Sequence, residues 1–152
     1  QKTAYEIMPS LVGSEMCIRD SQGLRGHSDA DVLIHALCDA LLGAAGLGDI
    51  GGLFPDTDST HAKRNSREFL EVVIEMLRKR GYRVVNVDST VIAEMPKISP
   101  FVAQMRAILS NVLALDVSRV NIKATTTEGL GYIGRQDGIA AHAVVLLSTS
   151  DV

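Results

Sequence analysis

The 152-residue sequence lacks the features that mark several large classes of protein. It has no tryptophan and only three tyrosines and three phenylalanines, which leaves few side chains for stacking on nucleic-acid bases. Lys and Arg total 15 against 18 Asp and Glu, so the basic surplus usual in proteins that neutralise phosphate backbones is missing. No apolar run approaches the roughly 20 residues that span a bilayer. We therefore expect neither a nucleic-acid partner nor a membrane partner.

Cysteine is also scarce. Cys17 and Cys38 are too few for a disulfide framework, and Cys38 lies in an apolar helical pattern, where it is interpreted as a small core residue. A reducing compartment is therefore expected. The composition, 46% hydrophobic and 22% charged, is sufficient for one globular domain with a sizeable core.

Histidine is absent from the first 26 residues, and all four histidines follow them. Residues 1–22 show no sustained period of a helix or strand and do not have the pattern of a signal or transit peptide. We interpret residues 1–22 as a leader foreign to the domain, and residues 23–152 as the domain itself.

Hydrophobic periodicity in the domain predicts helices and strands that alternate along the chain within a single domain. Ser28 with Asp31 resembles a capping box, which predicts that the first helix begins there and continues to about Gly46. Ser99 and Pro100 suit the N-cap and first position of a later helix. The other predicted elements are a helix capped by Asn65, a strand over 82–94, a strand over 120–124 and a strand over 139–147.

The first predicted helix carries an unusual polar stripe. Asp31, His35 and Asp39 recur every four residues, while apolar residues cover most other directions. Asp and His are weak helix formers that supply metal ligands and proton-transfer groups. A functional stripe is favoured over a solvated edge, and a structural hydrogen bond between His35 and Asp39 is the alternative.

Two loops are candidates for ligand binding. Residues 49–58 are rich in Gly, Pro and Asp, which favour turns and a close backbone approach to a ligand. Residues 125–135 combine three threonine hydroxyls, three glycines, a carboxylate and an arginine, which suit a phosphorylated ligand with a metal ion. The alternative for the second loop is a solvent-exposed connection between strands.

Five strings of residues occur in the order and at the spacing of one enzyme family. Together they closely resemble the 2-C-methyl-D-erythritol 2,4-cyclodiphosphate synthases of the non-mevalonate isoprenoid pathway, over residues 23 to about 147. The strings are His27–Val32 with His35, Asp49–Gly51, Phe54–Asp58, Pro96–Lys97 and Ala124–Gly129.

The resemblance implies an α+β fold, in which a mixed β-sheet is flanked by α-helices, and a homotrimer with active sites between neighbouring subunits. Bacterial cytoplasm is the default location, because no clear transit peptide is seen, and a plastid is the alternative. The resemblance also implies a reaction. The 2-phosphate of a cytidine-diphosphate-linked methylerythritol attacks the β-phosphorus, closes a cyclic diphosphate and expels CMP. Positioning and charge neutralisation carry most of such a phosphoryl transfer.

The resemblance further implies the roles of individual residues. His35 matches a ligand of Zn²⁺ or another divalent cation, and Glu128 matches the acid that helps hold Mg²⁺ or Mn²⁺ on the diphosphate. His27 and Thr126 match catalytic residues that stabilise the transition state. The positions that match substrate contacts are Ser28, Asp49, Ile50, Gly51, Phe54, Pro55, Asp56, Thr57, Asp58, Ala93, Lys97, Ile98, Ser99, Thr125, Thr127, Glu128, Tyr132 and Arg135.

One departure from the family concerns the metal. Family members carry an upstream Asp-x-His pair that supplies two more zinc ligands, and this sequence contains no such pair. We expect impaired zinc binding and turnover as a result. Two other functions remain open: a catalytically silent relative that binds cytidine nucleotides, and a metal-dependent phosphohydrolase that uses His27, Asp31, His35 and Asp39.

Overall fold

The computed structural model describes residues 31–55 and 65–149. These residues form helices and strands in the mixed order of an α+β protein, which confirms the predicted fold class. The helices are α1 (Val32–Ala44), α2 (Ile50–Leu53), α3 (Ser66–Lys79), α4 (Val102–Leu113) and α5 (Gly131–Gly134), and the strands are β1 (Tyr82–Ile92), β2 (Val120–Thr125) and β3 (Ala140–Thr149). Two 3₁₀ turns, Ser99–Phe101 and Val117–Arg119, flank α4.

The three strands form one mixed sheet in the order β2-β1-β3. β1 pairs in parallel with β2, with Ile92 opposite Thr125, and antiparallel with β3. A parallel pair needs a crossover connection, which α4 supplies between β1 and β2. As a result, β1 and β2 both end at the same edge of the sheet, where β3 begins.

The core lies between one face of the sheet and the helices α1, α3 and α4. α1 is apolar on most sides and buries six side chains, whereas α3 buries one stripe and exposes a charged one. Each large apolar side chain buried in this way contributes roughly 1.5–3 kcal/mol. Cys38 is fully buried in this core, as its sequence context predicted, and burial raises the pKa of its thiol.

The structure corrects two predicted helix starts. α1 begins at Val32, and Asp31 rather than Ser28 is its N-cap, because its carboxylate accepts from Leu33 and Ile34 N–H at 3.1 and 3.0 Å. Ser28 lies outside the described residues. In the later helix, Ser99 and Pro100 form a 3₁₀ turn after Ile98, and α4 proper starts only at Val102.

The opposite face of the sheet carries no described helix and is partly apolar. Val144 and Leu146 of β3 are 71% and 55% exposed there. On the neighbouring strands Lys123 binds Asp88 at 2.6 Å, which holds the pKa of that carboxyl below its ordinary value. In the part of the chain that the structure describes, no helix is long and apolar enough to span a membrane.

Candidate functional site

The first group of predicted site residues meets where β1 and β2 end. We call Ala93, Glu94, Lys97 and the loop Thr125–Gly129 the strand-end cluster. Ala93 N–H donates to Thr125 O at 3.0 Å, which extends the parallel pairing past the last residue of β1. Because both strands point the same way, residues more than 30 positions apart in sequence are brought side by side.

A carboxylate that the sequence comparison did not single out organises this cluster. Glu94 Oε1 accepts from Thr127 N–H at 2.9 Å, from Gly129 N–H at 3.1 Å and from the Thr127 hydroxyl at 3.2 Å. The bonds from Gly129 and Thr127, with the nearby Lys97 ammonium, hold the pKa of Glu94 below its ordinary value. In the sequence, Glu94 lies within the segment 93–99 that the resemblance matches to substrate contacts, but nothing there indicates a role for its carboxylate.

Two residues of the loop, Thr126 and Glu128, keep polar groups that can bind a ligand. Thr126 Oγ1 accepts from Glu128 N–H at 3.3 Å, which leaves its hydroxyl proton for another acceptor. The Glu128 carboxylate is exposed and makes no hydrogen bond or ion pair with any described residue. A loop that presents a hydroxyl donor and a carboxylate in this way suits a diphosphate with a hard divalent cation.

Several other predicted substrate contacts can act only in part. The Thr127 hydroxyl lies 2.7 Å from Leu130 O and close to Glu94, so its proton is used inside the loop. Ala93 and Ile98 are buried, so their side chains belong to the core. Lys97, Ser99 and Thr125 are exposed beside them.

The segment after this loop was predicted as a loop but contains the short helix α5. Buried Ile133 anchors it to the protein, while Tyr132 and Arg135 are exposed, with Arg135 paired to Asp137 at 3.0 Å. Gly134 packs directly on the Gly129 backbone, and a Cβ at residue 134 would overlap the Gly129 carbonyl. This close approach fixes the end of α5 against the Thr125–Gly129 loop.

The second group of predicted site residues lies on α1 and the turn after it. We call His35, Ser66, Phe54 and Phe69 the histidine cluster. Ser66 Oγ lies 3.2 Å from His35 Nε2, and the Phe69 ring meets the imidazole edge-on at a centroid distance of 6.4 Å. Phe54 stacks on Phe69 at 4.6 Å. These contacts orient the His35 ring. Its partner Ser66 is fully buried and had no direct signal in the sequence.

The polar stripe of α1 is divided between separate tasks. Asp31 caps α1, and Asp39 Oδ1 accepts from Ile50 N–H at 2.8 Å, so that it supports the turn predicted to contact substrate. Asp49 in turn caps α2 through Gly52 N–H at 2.7 Å. His35 and Asp39 therefore have different partners, and the hypothesis of a hydrogen bond between them is wrong. Ile50, Gly51, Phe54 and Pro55 follow on this turn and are exposed or half-buried.

The described residues do not by themselves form a zinc site. Across 31–55 and 65–149, no three His, Cys, Asp or Glu side chains come together as metal ligands. His35 is thus a single candidate ligand where a catalytic zinc takes three from the protein. This result also removes the described members of the phosphohydrolase hypothesis, Asp31, His35 and Asp39, as a metal-binding group.

Among the described residues no hydrogen bond or ion pair joins the histidine cluster to the strand-end cluster of the same chain. Each is held by its own contacts to the fold. The predicted residues His27, Ser28, Asp56, Thr57 and Asp58 lie outside the described residues.

Fold and site together define a small α+β protein whose strand ends carry a candidate site for a phosphorylated ligand. Comparisons with known proteins agree with this description. The sequence model of the YgbB family matches residues 8–148. The chain belongs to the YgbB family.

Named relatives of this chain share one activity. This chain is 60% identical over 126 residues to the 2-C-methyl-D-erythritol 2,4-cyclodiphosphate synthase of Syntrophomonas wolfei. The matched region covers 83% of this chain and 80% of that one. Among solved structures, the IspF–CDP complex of Plasmodium falciparum has a TM-score of 0.74 and 38% identity, covering 84% of this chain and 76% of that chain. The bifunctional IspDF of Campylobacter jejuni has a TM-score of 0.82 and 47% identity, covering 87% of this chain but only 36% of that longer one.

The contact between Gly134 and Gly129 gives a first prediction. Gly134→Ala should lower the free energy of unfolding by about 2 kcal/mol, because the added methyl group overlaps a backbone that cannot move away without distorting the loop. The matched control is Gly43→Ala, in α1 with open space around the new methyl group, which should raise stability by up to about 1 kcal/mol. Urea denaturation of both variants measures this, and equal effects would contradict the assigned contact.

Proposed function

We propose that this chain catalyses an intramolecular phosphoryl transfer that converts 4-diphosphocytidyl-2-C-methyl-D-erythritol 2-phosphate to 2-C-methyl-D-erythritol 2,4-cyclodiphosphate and CMP. The observation that carries the proposal is the strand-end cluster, where an exposed carboxylate and a hydroxyl donor stand beside a lysine at one loop. The relatives named for this reaction support it. Because those relatives come from bacteria, we propose the bacterial cytoplasm as the compartment.

In this reaction one P–O bond forms and another breaks, both at the β-phosphorus. An oxygen of the 2-phosphate attacks the β-phosphorus and forms a new P–O bond, while the bond from that phosphorus to the oxygen bridging to the α-phosphate breaks. The electron pair leaves with CMP. No outside oxidant or hydrolytic water is needed, so the protein must hold the two phosphates together and stabilise charge on the transferred group.

Residues of the strand-end cluster suit those tasks. The Thr126 hydroxyl donates to a phosphate oxygen, and the Lys97 ammonium offsets negative charge on the diphosphate. The Glu128 carboxylate would hold Mg²⁺ or Mn²⁺, which supplies charge neutralisation on the diphosphate when bound. His27 would stabilise the transition state together with Thr126. Asp49 and the turn that follows it complete the proposed set on the methylerythritol phosphate side.

The reaction is tested by its products. The chain, incubated with the cytidylated substrate and Mg²⁺, should release CMP and give a cyclic diphosphate by phosphorus NMR. Glu128→Gln should slow CMP release about 100-fold by removing the cation ligand, whereas Glu71→Gln, an exposed carboxylate of α3, should have no effect. CDP affinity without CMP release would instead establish a silent nucleotide-binding relative, and a linear product would establish a hydrolase.

We also propose that His35 binds zinc, and that this chain binds it weakly. His35 would supply one ligand, and one imidazole cannot replace a three-ligand set. Elemental analysis after dialysis should therefore find well under one zinc per chain. A variant with an Asp-x-His pair restored in an N-terminal strand should reach about one zinc per chain, as expected of a three-ligand site. Full zinc occupancy in the unchanged chain would contradict this proposal.

We further propose that the chain assembles as a homotrimer with active sites between neighbouring subunits. Two observations support it: the exposed apolar side chains on the uncovered face of the sheet, and the division of the site residues into two clusters that no described contact joins. A cluster from one copy and a cluster from the next would together make a complete site.

The assembly is tested on the sheet face. Leu146→Glu should shift the chain from trimer to monomer in sedimentation velocity, because a carboxylate buried between copies loses its solvation. The control is Val72→Glu, which places the same charge on the exposed face of α3 and should leave the trimer unchanged. A monomeric unchanged chain, or a trimer that tolerates Leu146→Glu, would contradict the proposed interface.

A further inference from the structure

The Glu94 carboxylate sits inside the Thr125–Gly129 loop rather than facing outward from it. One of its oxygens, Oε1, accepts from the Thr127 and Gly129 N–H groups at 2.9 and 3.1 Å. The Thr127 hydroxyl lies 3.2 Å from the same oxygen and 2.7 Å from Leu130 O, so its single proton is shared within the loop. This Glu94 oxygen therefore holds the loop rather than facing a ligand.

The residues that Glu94 holds alternate with the residues that carry the proposed chemistry. Thr127 and Gly129 donate to Glu94, while Thr126 lies before them and Glu128 between them, and neither of these two side chains is bonded to Glu94. Fixing every second backbone amide of so short a loop fixes the direction of the intervening side chains. The Glu94 side chain thus determines the positions of the Thr126 hydroxyl and the Glu128 carboxylate by holding the backbone of the loop.

The backbone of the loop needs such support. Glu128 has φ of 54° and Gly129 has φ of 80°, both in the left-handed region. Gly adopts that region readily, but Glu does so only where surrounding contacts hold it. The bonds from Glu94 to the residues on either side of Glu128 are contacts of this kind.

We propose that Glu94 is a positioning residue that orders the nucleotide and cation side of the active site through the backbone of Thr127 and Gly129. The proposal rests on the proposed function for its consequence in catalysis, but its geometry is independent of any ligand. The requirement is for an acceptor oxygen at this place rather than for a negative charge. Gln, which keeps such an oxygen, should therefore replace Glu94, and Ala should not.

The first measurement concerns the loop alone. Amide hydrogen exchange of the unliganded protein should show protection of Thr127 and Gly129 in the unchanged chain and in Glu94→Gln. Glu94→Ala should lose that protection while the β1 and β2 amides keep theirs. Unchanged protection in Glu94→Ala would overturn the proposal. The control, Glu75→Ala, removes an exposed carboxylate of α3 and should leave all these amides unaffected.

The second measurement concerns the ligand, with CDP and Mg²⁺ as the probe. Glu94→Ala should weaken CDP affinity in Mg²⁺ and lower kcat, each by about 10-fold, as loss of a group that orients metal or phosphate ligands commonly does. Glu94→Gln should stay within about threefold of the unchanged chain, since the net worth of a neutral hydrogen bond is small. A Gln variant as defective as the Ala variant would overturn the acceptor requirement.

The two measurements separate this proposal from the proposed function. If the unchanged chain fails to bind CDP but Glu94→Ala still loses protection at Thr127 and Gly129, the nucleotide function fails and the ordering of the loop by Glu94 is supported. If CDP binds and is turned over but Glu94→Ala binds it normally, the function is supported and the positioning role fails.

Discussion

The parallel pairing of β1 with β2 is the constraint on which the strand-end cluster depends. Its register places Ile92 opposite Thr125 and carries the ends of both strands to one edge of the sheet. An antiparallel partner would have placed one of the two loops at the far edge. Because the register also seats Ala93 against Thr125, the Glu94 carboxylate arrives within hydrogen-bond distance of Thr127 and Gly129. The direction of two strands thus decides which residues can share a ligand.

Hydrophobic periodicity predicted most of the helices and strands, because the residues that each element buries recur with the period of that element. The alternation of Val87 and Val91 placed β1 correctly, and the apolar stripe of α3 was recovered together with its N-cap Asn65. The starts of α1 and α4 were missed for a physical reason. Ser28 and Asp31 have side chains that cap equally well, so local chemistry does not choose between them. The structure shows Asp31 capping α1 and buried with it.

Site residues could be predicted from the sequence only where the residue type and its motif indicate a chemical role. The strings around His35, Lys97 and Glu128 carried the resemblance to the family, and the structure brings Lys97 and the loop of Glu128 to one edge of the sheet. Glu94 was missed because its partners are backbone amides more than 30 residues away, and backbone amides leave no trace in a sequence. Ser66 was missed because a serine beside an N-cap has an ordinary explanation as part of a helix start.

The division of polar groups within each cluster separates those that build the site from those left for a ligand. Asp39, Ser66, Glu94 and the Thr127 hydroxyl all have partners in the fold, and each stands directly behind a residue assigned to substrate or metal. Thr126 and Glu128 keep a donor and a carboxylate for outside groups. A phosphoryl transfer with no covalent step on the protein needs this arrangement, since its rate depends on how rigidly charges are held before the substrate arrives. The rigidity comes from ordinary hydrogen bonds to the backbone, so the carboxylate that holds the loop affects the rate together with the carboxylate that the loop presents.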